Sequence, residues 1–274
     1  LPAVRIDSKG KLSSVDVYKQ GLASDLGLPL RDFRVVDPSF PSQIQATFKA
    51  RPDVILFSLE NLKIIVRHDE LLIFSPSLPM VQEFIPAIQQ QIMALESQPH
   101  VSMGRFEHVV LETALSVVCS SLAKRVRTLV PAVTAVLHGL RSQSKGLEVV
   151  QTQVDELLPL KNKVDEVDKR IKELKRCITA IYESDEDMQV MYLGPANLPS
   201  GAVTSTANQK DAAAETVEMD LEMLLESYVN EIEWISSEVG ELRDAITNSE
   251  ENLVLQAGHY TQPDAPIRAS PEHQ

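Results

Sequence analysis

The chain has 274 residues, of which 43% are apolar and 24% charged, with a formal net charge of -13. That length and apolar share support a sizeable core in one large or two smaller domains, while the acidic balance disfavours nucleic acid, whose binders bring clustered Lys and Arg. Only 5% of residues are aromatic and Gly is scarce, which suits long helices better than an all-β sandwich, and the two cysteines, Cys119 and Cys177, match no zinc or disulfide spacing, so a reducing compartment is the default.

The first hundred residues read as short strands and helices. Val4 to Asp7 is a strand before a Lys9-Gly10 turn, and Ser13 with Asp16 resembles a capped helix start for a segment ending near Gly27. Asp32 to Val36, Gln45 to Lys49, Val54 to Leu59, Lys63 to Arg67 and Leu71 to Phe74 follow as strands, separated by Pro- and Asp-containing breaks. Their tight spacing predicts a small, mostly antiparallel sheet. A helix from Pro79 to Leu95 closes this α/β head, with Pro86 in its first turn or at a kink.

Beyond a loop at 97–104 the periodicity becomes helical. From Phe106 to Leu140 an apolar stripe runs for about 35 residues, or roughly 50 Å of helix. Leu157, Leu160, Val164, Val167, Ile171, Leu174, Ile178 and Ile181 then alternate steps of three and four, an a/d seam that requires a partner helix. A Pro-, Ser- and Thr-rich stretch at 194–209 reads as a flexible loop, and a second seam runs from Leu221 to Leu253. The expected architecture is an α/β head over 1–104 and a stalk of long helices over 105–256 forming an antiparallel coiled-coil-like bundle. A disordered tail is expected over 257–274. No run of about 18 consecutive apolar residues is present, so no membrane-spanning helix is expected.

Enzyme signatures are missing: there is no phosphate-binding Gly loop, nucleophile elbow, His-Glu-x-x-His or Cys-x-x-Cys, and the six histidines are scattered. His108 and His138 read as ordinary surface or packed residues, and Trp234 as a packing residue beside the seam. From Glu183 to Glu251 seventeen acidic residues stand against Lys210 and Arg243. Glu183, Asp185, Glu186 and Asp187 fall at the expected C-terminal end of the first seam helix, where carboxylates oppose the macrodipole. Glu218, Glu222 and Glu226 stack at steps of four and repel one another. Each group reads either as a solvated helix face or as oxygen ligands for a hydrated divalent cation such as magnesium.

Five collinear segments resemble one family. RDFRVVDPSFP (31–41), VILFSLENLKIIVRHDELLIF (54–74), FEHVVLETAL (106–115), SDEDMQVMYL (184–193) and EMLLESYVNEIEWISSEVGELRDAITNSEENLVLQ (222–256) are similar to the CorA-like magnesium transporters of the mitochondrial and plant branch. The resemblance covers roughly residues 3 to 256. It implies a funnel-shaped homopentamer in an organelle or other cellular membrane, mitochondrial inner or plant and algal, regulated by magnesium bound weakly to acidic residues at subunit contacts. Carried over by position, those residues are Asp185, Glu186, Asp187, Glu222 and Glu226. Where members carry carboxylates after the proline of the first stalk helix and ahead of the pore, this chain has Thr134, Ala135, Thr247 and Asn248, so sites built there do not transfer.

The Gly-Met-Asn pore signature is not among these residues. The chain is therefore expected to retain a soluble magnesium-sensing and assembly region, without the pore and without direct membrane insertion. Its expected partners are further copies or full-length channel subunits. The alternative is a soluble coiled-coil interaction or scaffold protein without ion sensing.

Overall fold

The sheet begins with a hairpin that local sequence signals conceal. Gly10 takes φ 76°, open to glycine at little cost, and the Asp7 carboxylate accepts the N–H groups of Lys9 and Lys11. The chain thus doubles back, and β2 (Leu12–Asp16) pairs antiparallel with β1 (Pro2–Asp7), Ile6 opposite Leu12. The helix start expected at Ser13 and Asp16 is corrected: ladder pairing outcompetes the cap, and only α1 (Lys19–Asp25) is helical. The computed structural model describes residues 1–39, 46–97, 105–142, 147–193 and 207–261.

The strand expected at Asp32 to Val36 is a 3-10 turn, Asp32–Val35, because buried Asp32 reaches sideways to the next strand. Strands β3 (Thr47–Arg51), β4 (Val54–Leu59), β5 (Leu62–Val66) and β6 (Glu70–Phe74) follow as an antiparallel meander. The six-stranded sheet has the order β2-β1-β6-β5-β4-β3, antiparallel throughout. Val54, Leu56 and Ile65 pack on one face with Phe33 and Val36. Alternate residues Ile55, Phe57, Ile64 and Ile73 are equally buried, so both faces are covered.

Helix α2 (Pro79–Ser97) sends Phe84, Ile88 and Ile92 into the core at steps of four, each burial worth roughly 1.5–3 kcal/mol. Three long helices follow, α3 (Phe106–Ser142), α4 (Leu147–Tyr182) and α6 (Ala207–Thr261), with the short α5 (Asp185–Val190) ahead of α6. Pro86, Pro131 and Pro159 lie inside α2, α3 and α4, each on an exposed position. The carbonyl each one frees, four residues back at Gln82, Arg127 and Asp155, is on an exposed residue too, where water can replace the missing bond. Residues 207–209 and 257–261, expected as loop and tail, are helical in α6; 194–206 and 262–274 lie outside the described residues.

Seam positions Leu157, Val164, Ile171 and Ile178 on α4 are buried, as are Leu225, Ile232, Ile235 and Val239 on α6. Among the described residues α3 is long and apolar enough, over 106–139, to cross a membrane by composition. The expectation of no such helix rested on uninterrupted apolar runs. Yet 72% of its most apolar window is buried inside the fold, as in the core helix of a folded protein.

The chain divides into two compact units. The first comprises Leu1–Lys124 and Lys169–Ser236, and the second Arg125–Asp168 and Ser237–Gln274. Within the second, Lys161 bonds Glu250 at 2.5 Å and Asp168 bonds Arg243 at 3.0 Å. Seven residues forward on α4 thus meet seven residues back on α6, and the two segments run antiparallel.

Candidate cation-responsive site

The acidic run does not end the seam helix. α4 stops at Tyr182, and Ser184, in an extended conformation, caps α5 by accepting the Asp187 N–H at 3.2 Å. Asp185, Glu186 and Asp187 therefore occupy the first turn of a new helix. Here carboxylates complement the helix dipole, each by about 0.3–1 kcal/mol, rather than opposing it. The helix-end repulsion expected from the sequence is corrected for these three residues; Glu183 does follow the end of α4, its N–H bonding the Thr179 carbonyl. All three side chains are exposed, and α5 lies against β3 at the sheet edge with Met188 buried beneath it.

Glu222 and Glu226 are exposed on α6, each one residue after a buried leucine, Leu221 and Leu225. They stand one helical turn apart on a single face. The side chain of Glu218 lies outside the described ones. Both acidic groups belong to the first unit, yet no three His, Cys, Asp or Glu side chains converge into a metal-holding group among the described residues.

Sequence reasoning missed the residues that grip the main chain of Leu193, three residues beyond α5. Arg105 Nε pairs with Glu107 Oε1 at 2.7 Å, and Glu107 Oε1 accepts the Leu193 N–H at 2.9 Å. Arg105 Nη2 donates to the Leu193 carbonyl at 2.7 Å. Glu107 is 3% exposed, and burial raises its carboxyl above the usual range despite these partners. His108 is packed, as expected, with its ring edge-on to Tyr192 at 5.2 Å. Burial, with Arg105 nearby, pushes its imidazole down to about 4, so it is neutral at pH 7. No spacing rule marks an Arg-x-Glu at the start of a helix as the partner of a backbone segment some 86 residues away. Trp234 is corrected from packing residue to surface residue, being 55% exposed.

Comparison with known proteins identifies the family of the chain as a whole. The sequence profile described as "Magnesium transporter MRS2-like" matches residues 3–258. Magnesium transporter MRS2-4 of Arabidopsis thaliana is 26% identical, the alignment covering 92% of this chain and 67% of that protein. Arabidopsis MRS2-7 is 25% identical over 94% of the chain and 73% of its own length. The chloroplastic MRS2-A of Oryza sativa subsp. indica is 24% identical over 92% and 53% respectively. With a family match spanning nearly every element from β1 through α6, the chain belongs to the MRS2-like magnesium transporter family.

Proposed function

We propose that this chain serves magnesium transport as a magnesium-responsive, self-associating region of an MRS2-like transporter. The family match over residues 3–258 carries this reading. In it, residues 1–104 act as a head, and residues 105–256 as a stalk whose α4 and α6 work as an antiparallel coiled-coil-like pair. The buried seam positions and the seven-residue step between the two ion pairs support that arrangement.

Asp185, Glu186, Asp187, Glu222 and Glu226 are the regulatory residues in this reading. All five carry exposed carboxylates, the oxygen donors a hard cation prefers, and magnesium keeps several waters and is bound through only one or two carboxylates. A hydrated ion shared between copies suits that chemistry. Its binding neutralises the mutual repulsion of Glu222 and Glu226 and favours association of copies.

Isothermal titration with magnesium chloride, alongside light scattering for oligomer size, tests the proposal. Binding on the order of millimolar with a change in assembly size is expected. Combining Asp185→Asn, Asp187→Asn, Glu222→Gln and Glu226→Gln is expected to abolish both responses. A wild-type chain that neither binds magnesium nor changes size would sink the proposal and leave a scaffold without ion sensing.

A further inference from the structure

We propose that Arg105 and Glu107 are positioning residues: they form a two-pronged clamp on the main chain of Leu193 that fixes the acidic turn Asp185–Asp187 against the sheet edge. The effect on magnesium rests on the reading above, whereas the effect on the turn's mobility does not.

The geometry is that of a peptide held at both ends of one residue. The carboxylate of Glu107 takes the Leu193 N–H, the guanidinium of Arg105 takes the Leu193 carbonyl, and the two side chains bond each other at 2.7 Å. Arg105 can reach because it stands just ahead of α3, its own carbonyl accepting the N–H groups of His108 and Val109. Each of the three contacts involves a charged group, the stronger class of hydrogen bond, and the Glu107 carboxylate is shielded from water. Tyr192, between the gripped residue and α5, lies 5.2 Å from the His108 ring with the Arg105 guanidinium 5.5 Å from its centroid. Met191 and Leu193 are 0% and 2% exposed, so the gripped segment is also seated in apolar surroundings.

By contrast, α5 has little to hold it in place by itself. It is six residues long, far below the length at which an isolated helix persists, and carries three consecutive exposed carboxylates. Its own anchors are the Ser184 cap and the buried Met188. The position of Asp185, Glu186 and Asp187 therefore depends on residues 191–193 staying docked, and the clamp is what docks their backbone.

Amide hydrogen exchange on the full chain at neutral pH without magnesium tests the clamp. In Arg105→Ala, exchange across residues 187–193 is expected to accelerate about ten-fold or more, while β4 to β6 amides keep wild-type rates. Arg105→Lys retains the charge but not the fork, and is expected to fall between the two; Glu107→Gln is the second fold-preserving variant and is expected to accelerate the same segment. Unchanged exchange at 187–193 in all three variants, or equal acceleration in the sheet, overturns the proposal. Adding magnesium then separates the two readings. If magnesium slows exchange at 185–187 in wild type, that protection is expected to weaken in Arg105→Ala and recover partly in Arg105→Lys. Undiminished protection in Arg105→Ala counts against a positioning role. If wild type shows no magnesium effect, the sensing reading fails, and the magnesium-free comparison still decides the clamp.

Discussion

Asp32 and Asp37 show what the RDFRVVDPSFP segment does physically. Asp32 is 0% exposed and takes Lys49 Nζ and Arg51 Nη2, both at 2.8 Å, tying the 3-10 turn to β3. Asp37 pairs with Lys19, and its carbonyl accepts Lys63 Nζ at 2.9 Å. Burial alone would raise both carboxyls, but the hydrogen bonds and neighbouring cations outweigh it and hold them below the usual range. Their contribution is full above about pH 4 and is lost as pH falls through the depressed values. Asp32→Ala breaks a buried ion-pair cluster and is expected to destabilise the fold by about 3 kcal/mol in urea unfolding. His108 acts over a different pH window. An unfolded histidine protonates near pH 6.5, but this buried one resists until about 4, so stability is lost progressively across that interval, by roughly 3 kcal/mol at its lower end. Glu107, raised by burial, opposes this, since protonating it favours the folded state as pH falls. Urea midpoints at about pH 7 and about pH 4.5 should therefore fall less with acid in His108→Gln than in wild type. An equal fall would place the acid sensitivity elsewhere.

At the scale of elements, what the sequence revealed depended on how far each stabilising partner lies along the chain. Strands β4 to β6 announce themselves as short apolar runs between turn residues and the long helices through steps of three and four; β4 to β6 and α3 fall within a few residues of expectation, whereas α4 and α6 begin ten or more residues ahead of their seams. β2 was hidden because Ser13 and Asp16 imitate a helix start, while its true partner is β1 across a turn set by Asp7 and Gly10. The Asp32 turn was hidden because its determinants, Lys49 and Arg51, lie 17 and 19 residues away. The seams give a direct test of which positions the helices depend on. Ile178→Ala on α4 and Leu225→Ala on α6 remove fully buried side chains and are each expected to cost about 2–5 kcal/mol in denaturant unfolding. Trp234→Ala, despite removing a larger side chain, is expected to change stability by only about 0.5 kcal/mol, because its ring is 55% exposed. A large loss in that variant would mean that the ring is covered when the protein is in solution.

For the molecule as a whole, family and acidic character were readable from the chain, whereas the support of the site was not. Carboxylate positions appear in any sequence, but whether Asp185 begins a helix or ends one depends on Ser184, whose extended backbone separates α4 from α5 and whose side chain accepts the Asp187 N–H. A net charge of -13 also makes an alternative to specific binding concrete: any cation will screen self-repulsion and raise stability somewhat. Screening depends on ionic strength, whereas site binding depends on the ion. Melting curves in magnesium chloride and in potassium chloride of matched ionic strength separate the two. With site binding, a few millimolar magnesium, a range on the order of that expected for weak hydrated sites, raises the melting temperature above its ionic-strength control. That excess should disappear in the combined Asp185, Asp187, Glu222 and Glu226 variant while the potassium response remains. Superimposable magnesium and potassium curves for the wild-type chain would mean that the acidic faces only tolerate their charge and do not read the ion.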